Sequence, residues 1–494
     1  MVRVRGLIVA LVLGAMAVGC AQSQPAGRGP QSASRDTAPA PATQPAPRAD
    51  AGAARPTGEH PPNIILITTD DQAPDTLHFD GNSYIRTPTL DRLAAEGVYF
   101  PRAYVVVPLC APSRAALLTG RYPQETGVRT NAEARLPDGL PTFAQLVRSR
   151  GYRCGLVGKW HLGAPEARAG GFEDYWVTWA ADEASRKTKY TRPVLYVNGE
   201  LKEHRGPLTD VLTDYALQFI DESGEQPFLL WLSHPAPHEP RVADKRFFYD
   251  RASVRLPASM KDDLTGKPVR QRQSECHRSI DQYPKAILKR EIAAYYSMIQ
   301  GVDAAVGRLI RHLEQRGLAQ RTLVIFTSDN GLLLGEHQMV AKNCPVLYEE
   351  LVRVPLLFWQ PGAVPAGVRR TELVSLMDLF ATIVARAGAP NVQTPSRDLW
   401  PLIVGAGGAG RDALFVQYYG RGDETPGPPL IGVITPRHKL VAYAEGDDQE
   451  KELYDLLADP LELKNLAGAT GYEETQRRLE GMLAEFAAAG GGPR

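Results

Sequence analysis

The chain has 494 residues, 43% of them hydrophobic and 23% charged, enough apolar material for two or three domains or one large α/β unit. Lys plus Arg and Asp plus Glu each number 56, so no global field favours nucleic acid or an anionic membrane. Nucleic acid is therefore not an expected partner, and any polyanion would have to be met by a local patch.

Met1-Val2-Arg3-Val4-Arg5 places positive charge before an apolar run from Leu7 to Val18. That run is too short for a bilayer span and is shaped like a secretory signal. It closes on Ala17-Val18-Gly19-Cys20, which resembles a bacterial lipobox lacking the usual leucine at the position of Ala17. Residues 1–20 are expected to be a signal peptide of lipoprotein type, with export to the periplasm or cell surface and a lipid on Cys20 as the membrane link. A plain signal peptide cut nearby is the alternative. Residues 21–62, rich in Ala, Pro, Gln, Ser, Arg and Gly, cannot build a core and read as a disordered tether.

Asn63-Ile64-Ile65-Leu66-Ile67-Thr68-Thr69 is a β-rich apolar run of the kind buried on both faces in a parallel sheet. It stops at Asp70-Asp71, the carboxyl end where α/β proteins place ligands. Similar runs at 153–157, 228–232, 323–327 and 355–359 alternate with helical stretches at 88–96, 141–150 and 287–315. The alternation predicts an α/β fold, a large mostly parallel mixed sheet flanked by helices. Short strands at 414–418, 430–435 and 440–443 and a helix at 472–487 predict a smaller C-terminal α+β subdomain. The glycine-rich 405–410 link divides a catalytic unit, 63–408, from this subdomain, 409–494.

Asp70-Asp71 and Asp329-Asn330-Gly331, each at a strand end, offer hard oxygen ligands suited to Ca²⁺ or Mg²⁺; a helix cap or turn is the alternative for either pair. Cys110 lies just ahead of a helix that begins at Pro112-Ser113-Arg114, where free backbone N–H groups would favour an anion. Gly158-Lys159-Trp160-His161-Leu162-Gly163 puts a cation and an imidazole after another strand, with glycines for a tight turn. Ser233-His234-Pro235-Ala236-Pro237-His238-Glu239-Pro240 offers two histidines between prolines. Lys342 follows downstream of Asp329-Asn330. Cys154, Cys276 and Cys344 complete the cysteines of the folded part, and an oxidising compartment would permit a disulfide whose pairing the sequence does not give.

Cys110-Ala111-Pro112-Ser113-Arg114 with Leu118-Thr119-Gly120-Arg121 resembles the activation signature of the type I sulfatases, in the alkaline phosphatase-like superfamily. The resemblance runs from about Asn63 to Leu466. It implies that a formylglycine-generating enzyme oxidises Cys110 to formylglycine, and that Asp70, Asp71, Asp329 and Asn330, together with the converted Cys110, hold Ca²⁺, or Mg²⁺. It further implies that Arg114 steadies the aldehyde hydrate and that Lys159, Lys342 and His238 bind sulfate, with His238 favoured over His234. A hydrate hydroxyl, deprotonated with help from Asp329, would attack sulfur and expel the alcohol. His161 would then take the proton of the second hydroxyl, so that sulfate leaves and the aldehyde returns. The implied substrate is a sulfated small molecule or glycan.

Two readings compete: a phosphoesterase or phosphonate monoester hydrolase of the same superfamily, and a non-catalytic glycan-binding lipoprotein. His337 is expected either to line the substrate side or to cap its loop, and Glu350 to pair with Arg353. The weakly matching segments 164–226 and 241–285 are expected to be insertions near the site mouth. The second holds eleven Lys or Arg against six Asp or Glu, which suits a solvated surface or a polyanion-binding rim.

Overall fold

The computed structural model describes residues 61–179, 188–247, 249–390, 392–420, 429–443 and 450–491. The expected signal peptide, the lipidated Cys20 and nearly all of the expected tether lie outside the described residues. No helix among the described residues is long and apolar enough to cross a membrane.

Asn63–Thr69 forms the central strand, and all seven residues are buried. It pairs in parallel with Phe228–Ser233 on one side and Thr322–Ser328 on the other. The sheet has ten strands, in the order Val368–Arg369, Val98–Tyr99, Leu356–Trp359, Thr322–Ser328, Asn63–Thr69, Phe228–Ser233, Arg153–Gly158, Tyr175–Trp179, Val194–Val197, Glu200–Glu203. The interior is parallel from Thr322–Ser328 to Tyr175–Trp179, whereas Leu356–Trp359 and the Val194–Glu203 hairpin pair antiparallel at its flanks.

The period-two alternation of the central strand sorts its side chains between two cores. Ile64 and Leu66 enter a cluster with Ala115 and Leu118 of helix Cys110–Thr119 and Ile383 of helix Asp378–Arg386. Ile65 and Ile67 face Phe219 of helix Leu208–Ser223 and Val302 and Val306 of helix Lys285–Gln315. Each such fully buried aliphatic side chain contributes about 1.5–3 kcal/mol of transfer free energy. The two-sided burial explains why the strand is apolar throughout.

Residues 164–226 reach the site mouth through Trp179 and Lys189, but they are part of the sheet rather than an insertion. They supply three strands of the main sheet and helix Leu208–Ser223, which packs beneath it. Residues 241–285 instead bridge the two parts: Gln271 Nε2 donates to Glu452 of the C-terminal sheet, Gln271 Oε1 accepts from the Tyr348 hydroxyl, and Cys276 is disulfide-bonded to Cys344. Cys110 and Cys154 are free thiols.

The C-terminal chain forms a four-stranded antiparallel sheet of Leu414–Tyr418, Leu430–Ile434, His438–Tyr443 and Lys451–Asp455, with Leu479 and Leu483 of helix Glu473–Phe486 against it. Lys439 joins the sheet to the larger part by pairing with Glu349 and Glu462. Arg353 pairs with Glu349 at 3.1 Å, not with Glu350 as expected, because the next carboxyl along turns toward His337.

Candidate active site

Register places the chemistry. Thr68 is level with Ser233, Gly158 with Ser233, and Thr69 with Ser328, so four chain segments leave the sheet at one edge. Asp70-Asp71, Lys159, His234 and Asp329-Asn330 are the residues that follow. The turn after Gly158 requires glycine: φ is +118°, and a Cβ there would lie 1.9 Å from the Ser233 carbonyl oxygen.

Cys110 is the first residue of its helix, entered from extended Leu109. One backbone N–H expected to be free is taken, since Ala111 donates to Asn131 Oδ1 at 3.0 Å. The Cys110 thiol donates to Asp70 Oδ1 at 3.1 Å, and Lys342 Nζ donates to its sulfur at 2.7 Å. Burial, then the Asp329 and Asp70 charges, push the thiol pKa upward. Unmodified Cys110 is therefore held as a thiol, a poor nucleophile.

Arg114 is fully buried. Nε donates to Asp329 Oδ2 at 2.9 Å, Nη1 reaches the Lys159 carbonyl and Ser233 Oγ, and Nη2 has no partner. The guanidinium thus fixes three strand ends at once and keeps one nitrogen in reserve. Lys159 Nζ lies 2.6 Å from Asp70 Oδ2, and Lys342 Nζ 2.5 Å from Asp71 Oδ1. Burial opposes the charge on Asp70, but Lys159, His238, Lys342 and Arg114 outweigh it and hold that carboxyl well below the usual range. Burial and the neighbouring Asp70 raise Asp329 to about 6.

His238 Nε2 stands 3.9 Å from Asp71 Oδ2, and Nδ1 lies 2.8 Å from the Glu239 carbonyl oxygen. A carbonyl only accepts, so Nδ1 carries the proton and neutral His238 presents a lone pair at Nε2. Burial, then Lys342, hold its pKa at about 4. His234 is wholly buried, with neither ring nitrogen partnered. His161 sits at φ 59°, with buried Nδ1 unpartnered and its pKa well below normal through burial and the charges of Lys159 and Arg114. His337 neither lines the substrate side nor merely caps its loop. It bonds Asp262 at 2.6 Å and stacks on Tyr348 at 3.6 Å.

The structure thus brings together Asp70, Asp71, Cys110, Arg114, Lys159, His161, His238, Asp329, Asn330 and Lys342. A cavity of about 530 Å³ opens on them, lined by Asp70, Lys159, His161 and His238 and walled by Trp160 and Trp179. Sequence reasoning missed Lys189, also in its wall, and Tyr190, whose hydroxyl reaches the carbonyls of Pro235 and His238 at 2.8 and 2.6 Å. Both lie in a segment without a motif, and nothing short of the fold points to them.

One ligand atom from each of Asp70, Asp71, Cys110 and Asp329 lies within 4.8 Å of the others. Asn330 Nδ2 donates to Asp71 Oδ1 at 2.7 Å, while its buried Oδ1 has no partner. Three carboxylates and an orphaned carboxamide oxygen fit a hard divalent cation.

Residues 62–389 match the sulfatase family model, and residues 335–489 match the model of the N-sulphoglucosamine sulphohydrolase C-terminal region. An N-acetylglucosamine-6-O-sulfatase of Bacteroides thetaiotaomicron is 28% identical, with 86% of this chain and 86% of that protein covered. The human N-acetylglucosamine-6-sulfatase is 30% identical, with 83% and 82% covered. A solved structure of a protein in complex with its substrate, D-glucosamine-2-N,6-O-disulfate, superimposes with a TM-score of 0.78 at 27% identity, covering 86% of this chain and 97% of that one.

Proposed function

The chain belongs to the sulfatase family, and we propose that it releases inorganic sulfate from a sulfated glycan. The observation that carries the reading is Cys110 itself, set at a helix start between the Asp70 carboxylate and the Lys342 ammonium, with Lys159 across Asp70. Fixed cations at this depth favour a bound tetrahedral anion and lose little to solvent. Several relatives are named for the 6-sulfate of an amino sugar, which makes a sulfated amino sugar the first substrate class to examine.

In this reading Cys110 is converted to formylglycine by a formylglycine-generating enzyme; one hydroxyl of the hydrated aldehyde would attack sulfur, and loss of the proton of the second would expel sulfate with the attacking oxygen and restore the aldehyde. Ca²⁺, or Mg²⁺ in its place, would be held by Asp70, Asp71, Asp329 and Asn330 and would supply positive charge against the sulfate. Lys159 and Lys342 turn from their carboxylate partners toward the sulfate oxygens. Arg114 holds Asp329 and offers Nη2 toward the hydrate. His161, neutral and unpartnered at Nδ1, accepts the proton, and His238 faces the ester through Nε2. We place the catalytic part at 63–408 and the C-terminal subdomain at 409–494. We further propose export on the 1–20 signal, with the lipid on Cys20 and residues 21–62 as spacer.

A screen of defined sulfated saccharides for sulfate release, with mass spectrometry of the Cys110 peptide, tests the reading. Cys110→Ala is expected to abolish turnover and keep the fold; undiminished hydrolysis would reject it. Faster turnover of aryl phosphate or phosphonate esters than of aryl sulfate would assign a phosphoesterase instead.

A further inference from the structure

Among the described residues, Lys189 is a buried ammonium without a carboxylate partner. Its residue is 3% exposed, it lines the cavity that opens on Cys110's neighbours, and its one hydrogen bond runs to the Glu239 carbonyl oxygen at 2.8 Å. Its Nζ also lies 4.9 Å from the ring centre of Trp179 and 4.7 Å from that of Tyr190. An ammonium has three donors, and two rings and one carbonyl do not replace the lost hydration. Every other lysine of the site is matched: Lys159 with Asp70, Lys342 with Asp71. Burial pushes Lys189 down to about 8, the direction expected of a cation still lacking its anion.

Trp160 and Trp179 line the same cavity, and their indole N–H groups are buried without hydrogen-bond partners. Lys189 and the two tryptophans thus form a cluster of under-satisfied donors in and behind the cavity wall beside the ester site. Buried polar groups are ordinarily satisfied, so a cluster of this kind in a cavity wall marks where ligand acceptors belong.

We propose that Lys189, flanked in the cavity wall by Trp160 and Trp179, binds a second anionic substituent, a sulfate or a carboxylate, on the saccharide whose sulfate ester lies at Cys110. The proposal rests on the sulfatase reading for the place of the ester. It makes the enzyme selective for doubly anionic saccharides, and it makes Lys189 a specificity residue. The competing role is positional, because Lys189 and His238 Nδ1 share the Glu239 carbonyl as acceptor.

Binding to the full chain carrying Cys110→Ala, loaded with Ca²⁺, separates these roles without turnover. The probes are N-acetylglucosamine 6-O-sulfate, glucosamine 2-N,6-O-disulfate, and N-acetylglucosamine 6-O-sulfate linked to a hexuronate, each titrated by calorimetry. The expected result is that at least one doubly anionic probe binds about tenfold or more tighter than the singly sulfated one. Which of the two does so identifies sulfate or carboxylate. Adding Lys189→Met is expected to collapse that ratio to within about threefold, and Lys189→Arg to preserve most of it even where the methionine variant folds poorly. A ratio that Lys189→Met leaves unchanged, an equal loss for all probes, or no preference in the parent overturns the proposal. A preference in the parent that Lys189→Met removes, alongside no sulfate release by the unsubstituted enzyme, would sustain it and count against the hydrolytic reading alone.

Discussion

Lys342 Nζ lies 2.7 Å from Sγ of Cys110 and 2.5 Å from Oδ1 of Asp71, so one ammonium touches both the cysteine and the acidic pair. Burial opposes its charge, but Asp71, Cys110, Asp70 and Asp329 raise its pKa well above normal, and it stays protonated across the working range. A permanent, desolvated charge beside the reacting position is worth most where negative charge develops. Lys342→Ala is expected to lower kcat/KM for sulfate release by about 10²–10³, chiefly through kcat. Initial rates over a range of substrate concentrations check this, and a loss below about fivefold would remove Lys342 from the site.

The acidic cluster makes a second prediction. Asp70, Asp71 and Asp329 are all buried, and Asn330 Oδ1 lacks a partner, so a bound cation would satisfy several costly groups together. Chelation should lower the melting temperature of the native protein, and Ca²⁺ at about 100 times its Kd should restore about 2.7 kcal/mol. Asn330→Leu should weaken the response to added Ca²⁺. Thermal melts that ignore both chelator and Ca²⁺ would contradict the assigned ligands.

The site was legible in the sequence to the extent that strand ends carry it. Asp70-Asp71, Lys159 and Asp329-Asn330 each follow an apolar run, and the sheet register that aligns Thr69 with Ser328 and Gly158 with Ser233 makes them neighbours. Lys342 and Cys110 were found only through the motif resemblance, because neither follows a strand of the main sheet. Lys189 was hidden because a lone lysine before a tyrosine has no pattern, and its burial arises from Trp179 and from the Glu239 turn, fifty residues away in sequence. The 164–226 segment was misjudged for a related reason. Its strands sit toward the edge of the sheet, where Glu200–Glu203 is wholly exposed and leaves no apolar run.

Cys344 stands two residues beyond Lys342 and is bonded to Cys276, with a Cα–Cα separation of 5.7 Å across a sequence separation of 68. The bridge ties the loop that delivers Lys342 to helix Glu275–Arg278. Closing a loop of this size contributes about 2–4 kcal/mol by restricting the unfolded chain. The double substitution Cys276→Ala, Cys344→Ala should lower the melting temperature and also reduce sulfate release, because Lys342 loses its anchor. A melting temperature unchanged within error, or a reductant-insensitive parent, would show that the bridge does not restrain this loop.

Glu336, buried between Lys342's loop and helix Lys285–Gln315, predicts an alkaline loss of stability. Burial, then Asp75, raises its pKa from the ordinary 4.5 to about 8, while Glu350 close by is also held well above its usual range by burial and by Glu336. The folded state therefore keeps a proton that the unfolded chain releases above about pH 4.5, so the folded state binds more protons between the two values. Stability from this source is complete below about pH 4.5 and is lost as pH rises through about 8. Glu336→Gln holds a neutral group of the same shape, keeps an acceptor for the Leu334 N–H, and removes the titration. The parent should lose on the order of 2 kcal/mol relative to this variant between pH 5 and pH 8. Melting temperatures of the two proteins across that interval should diverge as pH rises, and parallel curves would mean that Glu336 titrates alike in folded and unfolded chains.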